Sequence, residues 1–300
     1  MVNWVENLVR IMPVKHVADL LNLHWHTVKS IDKHRLEREL PPPDKSRIRR
    51  LIMDEFALYK GHRYATVAMD ADTQQVLWVG QGRSRKAIRP FFEWLGKDAC
   101  NSIKAVAMDM NSAMDLEVKK HCPKASIVYD LFHVVAKFGR EVVDRVRVDQ
   151  ANQLRHDKPA RKVIKNSRWL LLRNPSNLNT QQGIELDELL QANKPLMTVY
   201  LLKNQLKQLW YAKSKRQALK RWREWFKMAL SSGLKPVISF ARNLKKYLHG
   251  IISSAKYPLN TSILEGMNNR IKVLKRTAYG YRDTDYFFLK IKDAFPGKAR

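Results

Sequence analysis

Three short apolar runs that each end in an aspartate decide the fold: Leu51-Ile-Met-Asp54, Ala105-Val-Ala-Met-Asp109 and Ser126-Ile-Val-Tyr-Asp130. Runs of this length and composition are typical of buried strands. A strand that ends in an acid delivers an oxygen ligand to the edge of a sheet, and two or three such oxygens can hold a divalent metal ion. A fourth acid, Glu265, lies far downstream at the start of a basic segment.

The pattern around these runs predicts an α/β fold. Three antiparallel strands are expected at 50–59, 64–69 and 75–79, with a turn at Asp70-Ala-Asp-Thr73 between the last two. Further elements follow in the order helix, strand, helix, strand, helix, at 84–98, 103–109, 113–121, 126–130 and 134–148. This order predicts a single mixed sheet with helices packed on it. The next hundred residues read as a helical block rich in Lys, Arg and Trp.

Two helices at 14–21 and 23–33 are predicted before the first strand, joined at Asn22, a residue type that tolerates the left-handed backbone of a sharp turn. The arrangement is that of a helix-turn-helix, in which Thr27, Lys29 and Ser30 would contact DNA. An ordinary helical hairpin is the alternative. The stretch Glu39-Leu-Pro-Pro-Pro-Asp44 reads as a stiff, extended linker after the two helices.

Charge is the clearest indication of a partner. The chain has a formal net charge of +28, and it is unevenly distributed. Residues 1–150 contain 25 Lys and Arg against 19 Asp and Glu, whereas residues 151–300 contain 31 against 9. Such an asymmetry is expected of a surface that lies along nucleic-acid phosphates. A basic protein without a nucleic-acid partner, or one bound to a membrane surface, is the alternative.

Several protein classes are excluded. No apolar run approaches the roughly 18 residues of a membrane span, and the N-terminus does not read as a signal peptide. The only cysteines, Cys100 and Cys122, form no CxxC pair, so neither a disulfide framework nor a cysteine zinc site is expected. We therefore expect a soluble protein of a reducing compartment.

Phosphodiester chemistry needs an activated attacking oxygen and a neutralised leaving oxygen, and two divalent ions held by carboxylates supply both. Asp54, Asp109 and Glu265 are the candidate ligands for Mg²⁺ or Mn²⁺. Each has a structural alternative: Asp54 could simply face solvent, Asp109 could cap the next turn, and Glu265 could complete a capping box with Ser262.

The segment after Glu265 is polar and basic at helical spacing, which suits contact with a DNA strand. Asp130 and His133 could orient a nucleotide, or they could form a local hydrogen bond that holds a loop. Trp210, Trp222 and Trp225 lie among cations and could stack on bases, although core packing explains Trp222 and Trp225 at least as well. The candidate DNA contacts in the basic segment are Asn268, Asn269, Arg270, Lys272, Lys275 and Arg276.

These motifs resemble the bacterial insertion-sequence transposases of the DDE type, in the branch called the ISL-three type. The matching stretches are Asp54-Glu-Phe, Ala107-Met-Asp-Met110, Tyr129-Asp-Leu-Phe-His133, Leu264-Glu-Gly-Met-Asn-Asn-Arg-Ile-Lys272 and Arg276-Thr-Ala-Tyr-Gly-Tyr-Arg-Asp283. The resemblance implies a ribonuclease-H-like core interrupted by a helical insertion. It places Asp54, Asp109 and Glu265 at the catalytic triad, and Asp130 and His133 at the accompanying D-x-x-H signature.

The resemblance also implies a division of the chain. The expected segments are a helix-turn-helix at 1–38, a Pro-rich linker at 39–46, the first part of the core at 47–149, the helical insertion at 150–255 and the completion of the core at 256–300. Members of this branch usually carry a cysteine zinc-binding module before the helix-turn-helix, and no such cysteines occur here.

The sequence thus predicts a transposase that cleaves DNA at terminal inverted repeats and joins the freed ends to target DNA. Because two ends must be handled together, we expect at least a homodimer on DNA. One alternative is a transposase-derived DNA-binding protein or repressor that does not cut. The other is a ribonuclease-H-like nuclease that cuts without joining ends.

Overall fold

The computed structural model of the protein describes residues 1–259 and 262–298, without the side chains of Ser262, Leu264 and Glu265. Its contacts divide the chain into two compact units, which we describe separately. The first unit comprises Met1–Ile127 and Leu259–Arg300, and the second comprises Val128–Pro258. Within the described residues, none of the helices combines the length and the apolar composition that crossing a bilayer requires.

The first unit begins with three short helices around their own apolar core: α1 (Val2–Leu8), α2 (Val14–Leu20) and α3 (Trp25–Glu39). Asn22 adopts the predicted left-handed conformation, with φ of 51°. Ala18 is buried in this core together with Val17 and Val28. Leu20, the last residue of α2, is 62% exposed. The DNA-binding role of this segment stays a prediction.

Five strands form one mixed sheet in the order β3-β2-β1-β4-β5. β1 pairs with β2 in antiparallel fashion and with β4 in parallel, which confirms the predicted mixed α/β core, consistent with a ribonuclease-H-like fold. The division between the two units falls within the last strand. The strands are β1 (Arg50–Tyr59), β2 (Arg63–Asp70), β3 (Val76–Gln81), β4 (Ala105–Met108) and β5 (Ser126–Tyr129).

Three helices of the first unit lie between β3 and β5 in the chain: α4 (Arg85–Leu95), α5 (Lys97–Ser102) and α6 (Ser112–His121). We predicted one helix over 84–98, and the structure instead breaks it at Gly96, whose φ of 88° ends α4. Phe91 and Phe92 of α4 are buried with their ring centroids 5.1 Å apart.

The second unit is entirely helical beyond the end of β5. A π-helical turn at Gly139–Val143 interrupts what we predicted as one helix over 134–148. Its first helices pack with the following block, and the domain bounds given from the sequence, with an insertion at 150–255, stay predictions. Its helices are α7 (Leu131–Phe138), α8 (Asp144–Gln153), α9 (Lys158–Asn166), α10 (Arg168–Leu172), α11 (Thr180–Ala192), α12 (Lys194–Gln208), α13 (Lys215–Leu230), α14 (Lys235–Leu244) and α15 (Leu248–Ser253).

The chain returns to the first unit with α16 (Ser262–Thr277) and α17 (Thr284–Ala294). α16 contacts β1, and α17 packs against α3 and β3. A buried polar cluster joins α3 to α17, with Asp32 at its centre. Asp32 accepts hydrogen bonds from Arg35, from the Tyr286 hydroxyl at 2.5 Å and from Lys290 at 3.0 Å. The N-terminal helices are thereby tied to the C-terminal helix.

Candidate functional site

Asp54 and Asp109 occupy equivalent positions on neighbouring parallel strands. In the β1–β4 pairing Ile52 lies opposite Ala107, an offset of 55 residues (107 − 52). The paired residues end there; continued two residues further, the same offset would set Asp109, the first residue after β4, opposite Asp54. Strands in a sheet lie about 4.7–4.9 Å apart, and paired residues face the same side. Asp54 is buried and Asp109 is half-buried, so the structure brings these two predicted site residues to one place.

Glu55 is a third acid in this neighbourhood. Burial raises the pKa of its carboxyl, and the nearby charges of Asp54 and Asp109 raise it further. The charge of Arg83 and the hydrogen bond from Asn111 lower the pKa, but they do not outweigh the burial. Arg83 lies 3.6 Å from the Glu55 carboxylate, and the side-chain amide of Asn111 donates to it. The sequence marks Glu55 only as a neighbour of Asp54, and we did not predict it as a site residue. Its position directly after Asp54 could have indicated it, because two adjacent acids interact electrostatically even when their side chains face opposite sides of a strand.

α16 contributes a direct contact to Asp54. The Nδ2 of Asn268 donates to the Oδ2 of Asp54 over 2.6 Å. Met267 and Ile271 flank Asn268 and are buried against the core, so they hold the helix at this distance. The other amide atom, Asn268 Oδ1, is buried and has no hydrogen-bond partner in the described part of the chain. Helical spacing places Asn268 on a polar stripe but does not predict its contact with Asp54.

The third predicted ligand, Glu265, lies one turn before Asn268 on α16, and its side chain is outside the described residues. The described residues alone contain no cluster of three His, Cys, Asp or Glu suited to a metal ion. The two aspartates nevertheless fit a hard divalent cation, because carboxylate oxygens are the donors that Mg²⁺ and Mn²⁺ prefer. β1 continues past Asp54 to Tyr59 and lies between β2 and β4, so this strand does not end at the acid as predicted; Asp54 lies within the sheet, and Asp109 directly follows the neighbouring β4.

The local hydrogen bonds of Asp70 and Asp109 bear on the turn and capping roles considered for them. Asp70 accepts from the backbone amide of Asp72 over 3.1 Å and from the Thr73 hydroxyl over 2.9 Å, which is the predicted turn role. The cap of α6 is Asn111, which accepts from the amides of Ala113 and Met114. Asp109 is therefore not the cap of that helix, although its Oδ1 accepts from the next backbone amide.

Asp130 and His133 make the local interaction that we considered as one of two alternatives. Asp130 caps α7 by accepting from the Phe132 amide over 2.7 Å. Its other oxygen lies 2.9 Å from Nδ1 of His133. The pair therefore fixes the start of α7 in the second unit. Whether His133 also contacts nucleotides stays a prediction, and its half-buried ring is compatible with it.

The predicted DNA contacts of the first unit divide into exposed and engaged side chains. Thr27 and Ser30 are exposed on α3, whereas Lys29 donates to Asp283 over 3.0 Å. A hydrogen bond from the Tyr286 amide, together with Lys29 and Lys33, lowers the pKa of Asp283 to about 2. On α16, Lys275 donates to the backbone carbonyl of Leu58. The remaining predicted contacts on α16 are exposed: Asn269, Arg270, Lys272 and Arg276.

The tryptophans of the second unit are mostly structural. Trp222 and Trp225 are buried, and the indole of Trp225 donates to the Leu202 carbonyl over 2.9 Å. This is the core role that the sequence left open. Trp210 is half-buried and donates from Nε1 to the Tyr129 carbonyl over 2.9 Å, so its indole nitrogen is engaged within the protein. A stacking role for its ring stays a prediction.

Comparisons with known proteins agree with this geometry. A family model of the ISL3 type of DDE transposase, described as a transposase, matches residues 51–291. The transposase for insertion sequence element IS1001 of Bordetella parapertussis is 59% identical over 295 residues, which is 98% of this chain and 73% of that protein. The transposase for insertion sequence element IS1557 of Mycobacterium tuberculosis is 26% identical over 89% of this chain and 64% of its own length. The chain therefore belongs to the insertion-sequence transposases of the ISL-three type.

Proposed function

We propose that this chain cleaves the ends of its insertion sequence and joins them to target DNA, using Mg²⁺ or Mn²⁺ held by Asp54, Asp109 and Glu265. The observation that carries the proposal is the parallel pairing of β1 with β4, which brings Asp54 on β1 near Asp109, the residue directly after β4. Family membership supports it, since the matching family is that of the DDE transposases. Two divalent ions in such a site neutralise charge on the phosphodiester and favour ionisation of the attacking oxygen.

The protein's own residues prepare the site in two ways. Asn268 fixes the orientation of the Asp54 carboxylate through its 2.6 Å hydrogen bond, so this ligand does not have to be ordered during the reaction. Arg83 and Asn111 hold Glu55 beside the two aspartates. Neighbouring carboxylates repel one another, and a cation held by Asp54 and Asp109 would relieve that repulsion. The site is thus arranged to bind positive charge.

The reaction would proceed in two displacements at phosphorus. In the first, water attacks the phosphodiester at the element's end, and the bond to the 3′ oxygen breaks to leave a free 3′-hydroxyl. In the second, that hydroxyl attacks a phosphodiester of the target, and the target's own 3′ oxygen leaves. Each step transfers one proton from the attacking oxygen. The exposed residues of α3 and α16 and the basic helices of the second unit would position the phosphates.

DNA is the proposed partner, as terminal inverted repeats and as target, in the cytoplasm of a bacterium. We expect at least a homodimer on DNA because one reaction must handle two ends. Base contacts are proposed for Thr27, Lys29 and Ser30, which begin the second helix of the helix-turn-helix arrangement.

A cleavage assay tests this proposal. DNA labelled at one strand and carrying the element's ends is incubated with the purified chain and Mg²⁺ or Mn²⁺. We expect end-specific cleavage and joined products, and a loss on the order of 10³-fold or more in Asp54→Asn and in Glu265→Gln, since such sites supply several kcal/mol. Asp98→Asn removes an exposed aspartate from α5 and should cleave as the parent does.

Two other results would overturn the proposal in different directions. Binding to the ends without cleavage, unchanged by Asp54→Asn, would mean a DNA-binding protein that does not cut. Cleavage without joining of 3′ ends would mean a nuclease. Equal activity in Glu265→Gln and the parent would remove Glu265 from the triad while leaving the two aspartates in place.

A further inference from the structure

Tyr279 has a backbone conformation that its residue type disfavours. It follows α16 with φ of 55°, in the left-handed region. The Gly280 amide donates to the Lys275 carbonyl over 2.8 Å and the Tyr279 amide to the Arg276 carbonyl over 3.0 Å. This is a Schellman ending, whose left-handed position is usually taken by glycine. A tyrosine there is strained, and such strain is concentrated at functional sites.

Packing does not explain this tyrosine. Its side chain is 80% exposed, and the ring contact that it makes is an edge-on approach of His16 at 6.3 Å between centroids. A strained and mostly exposed tyrosine contributes little to folding, and its ring is open to a ligand.

Tyr279 lies on a cleft of about 1210 Å³ that is formed wholly within the first unit, between residues 9–15, the start of α3 and residues 274–283. Trp25, the first residue of α3, also lines it and is 41% exposed. Trp25 stacks on His26 with ring centroids 3.6 Å apart, which fixes the plane of the indole. Two large rings thus face a space large enough for a nucleotide-sized ligand.

The cleft is strongly positive. Asp283 is the one carboxylate among its described lining residues, and it is already bound to Lys29 and Lys33. Two of the lining cations, Arg10 and Lys15, form exposed ion pairs with Glu39 and Asp19. Such pairs are weak and can be exchanged for phosphate. Lys290 and Lys275 also line the cleft but are bonded to Asp32 and to the Leu58 carbonyl, so Arg10, Lys15 and Arg282 are the lining cations best placed to bind phosphate.

We propose that this cleft binds an unpaired base of a DNA strand, stacked on Tyr279 and Trp25, with the adjoining phosphates held by the surrounding cations. The inference rests on the proposed action on DNA and specifies the form of DNA that this cleft binds. Exposed aromatic rings offer a stacking surface to a base that has left the duplex, whereas a paired base is already stacked on its neighbours. Interleaved cations and aromatic rings are the usual composition of single-strand binding surfaces.

Binding of two DNA probes of the same sequence tests the proposal: a blunt duplex, and a duplex with a three-nucleotide single-stranded 3′ overhang that contains 2-aminopurine. We expect the overhang probe to bind more tightly, with quenching of 2-aminopurine fluorescence. Tyr279→Gly and Trp25→Ala should each weaken overhang binding by about 5- to 150-fold, the range found when a stacking ring is removed. Tyr279→Phe should keep the preference because the ring remains.

Stability and a matched site serve as controls. Tyr279→Gly should melt at the parent's temperature or above it, since glycine suits the left-handed position, so weaker binding cannot be assigned to unfolding. Tyr211→Ala removes an exposed tyrosine of the second unit and should leave overhang binding unchanged.

The outcomes separate this inference from the proposed function. Equal affinity for the two probes, or a preference that survives Tyr279→Gly, would overturn the stacking site and leave DNA processing intact. Failure of the parent chain to bind either probe at low salt would overturn both. Loss of binding to both probes equally in Tyr279→Gly would make Tyr279 a duplex contact and would also overturn the stacking site.

Discussion

The two units each bury a cation, and they satisfy it differently. In the first unit the guanidinium of Arg35 is fully buried against the carboxylate of Asp32, at 2.8 Å. In the second unit the ammonium of Lys203 is fully buried, and it donates to the backbone carbonyls of Leu171 and Arg173. Burial lowers the pKa of Lys203 to about 8, with Lys207 contributing. The first unit thus pairs its buried cation with an acid, whereas the second unit binds its buried cation through neutral carbonyl oxygens.

The difference follows from how the acids are distributed. The first unit, counted over residues 1–127 and 259–300, has 30 Lys and Arg against 19 Asp and Glu, and the second has 26 against 9. Residues 194–258 hold 15 of those cations and one acid, Glu224. Acids in the first unit are used for buried ion pairs and for the Asp54 site. The second unit presents uncompensated positive charge, which suits phosphate binding.

Removing the central acid of the first unit should have the largest effect. Asp32→Ala removes the buried carboxylate that Arg35 and Lys290 share, and Arg35 keeps only the partly exposed Glu39 and Asp293 at 2.9 and 3.5 Å; breaking a buried pair in this way costs about 3–5 kcal/mol. We expect faster hydrogen exchange in α3 and α17, measured by mass spectrometry, because the cluster joins these helices. Glu224→Ala is the control, since its pair with Lys220 is exposed at 4.0 Å and should contribute roughly 0–1 kcal/mol.

Comparable losses of stability for Asp32→Ala and Glu224→Ala would contradict the contrast between the units. So would protection in α3 and α17 that is unchanged in Asp32→Ala. Exchange should rise in the first unit specifically, because the cluster's members all belong to it.

The buried Lys203 predicts that the stability of the second unit depends on pH. Its pKa is lowered on folding from an ordinary value of 10.5 to about 8. Above the unfolded pKa the amine is neutral in both states, and as pH falls towards 8 only the unfolded state gains the proton. Stability of the second unit should therefore fall by about 2–3 kcal/mol between pH 10.5 and pH 8 and be level below that. Denaturant unfolding across this pH range measures it.

Lys203→Met is the matched variant for that measurement. It lacks the proton-binding group and should lose this part of the pH dependence, whatever its overall stability. Its stability at neutral pH combines removal of the desolvation cost with loss of the bonds to the Leu171 and Arg173 carbonyls. An unchanged pH profile in the variant would mean that Lys203 is not the titrating group.

The exposed charge of the second unit should determine the salt dependence of DNA binding. Lys215, Arg216 and Lys220 are exposed on α13. Replacing all three by Gln should lower the slope of log K against log salt by up to about 2.7, at about 0.9 for each phosphate that the variant leaves unneutralised. The control replaces Lys60, Lys86 and Lys97, three exposed lysines of the first unit, by Gln. An equal change of slope in the two variants would show that net charge alone matters.

Local patterns predicted much of this fold. The three antiparallel strands, the turn at Asp70 and the left-handed Asn22 follow from residue spacing and residue type, which act over a few positions. The predicted helix over 84–98 failed only where Gly96 ends it. Asp54 and Asp109 were found because acids at the ends of apolar runs are informative by position.

The long-range polar contacts could not be predicted in this way. Asp32 and Tyr286 are 254 residues apart in the sequence, and nothing in the residues around either one indicates that the two side chains form a hydrogen bond. Asp32, Arg35 and Lys203 read as surface residues of helices, since charged residues are rarely buried. The bond from Asn268 to Asp54 spans 214 residues, and its existence depends on how α16 docks on β1. Periodicity predicts a face of a helix, and only tertiary packing selects its partner.

The smallest expected effect is on the melting temperature when Glu55 or Glu117 of the first unit is replaced, and its sign differs between the two acids. Burial raises the pKa of Glu55, with Asp54 and Asp109 adding to it. For Glu117 burial also raises the pKa, but hydrogen bonds and charge from Arg89 and Arg85 outweigh it and lower the value. Without added divalent metal at pH 7, Glu55→Gln should raise the melting temperature slightly and Glu117→Gln should lower it.

The pH dependence of these two variants tests the signs. A raised folded pKa means that Glu55 costs stability as pH rises above its unfolded value of about 4.3, so the advantage of Glu55→Gln should vanish below that pH. The lowered pKa of Glu117 means that its contribution is present above about pH 4.3 and is lost as pH falls through the folded pKa. Adding Mg²⁺ should reduce the advantage of Glu55→Gln, because a cation between Asp54 and Asp109 offsets the repulsion that destabilises Glu55. A shift of the same sign in both variants would contradict the assignment of one acid to a crowded site and the other to a paired one.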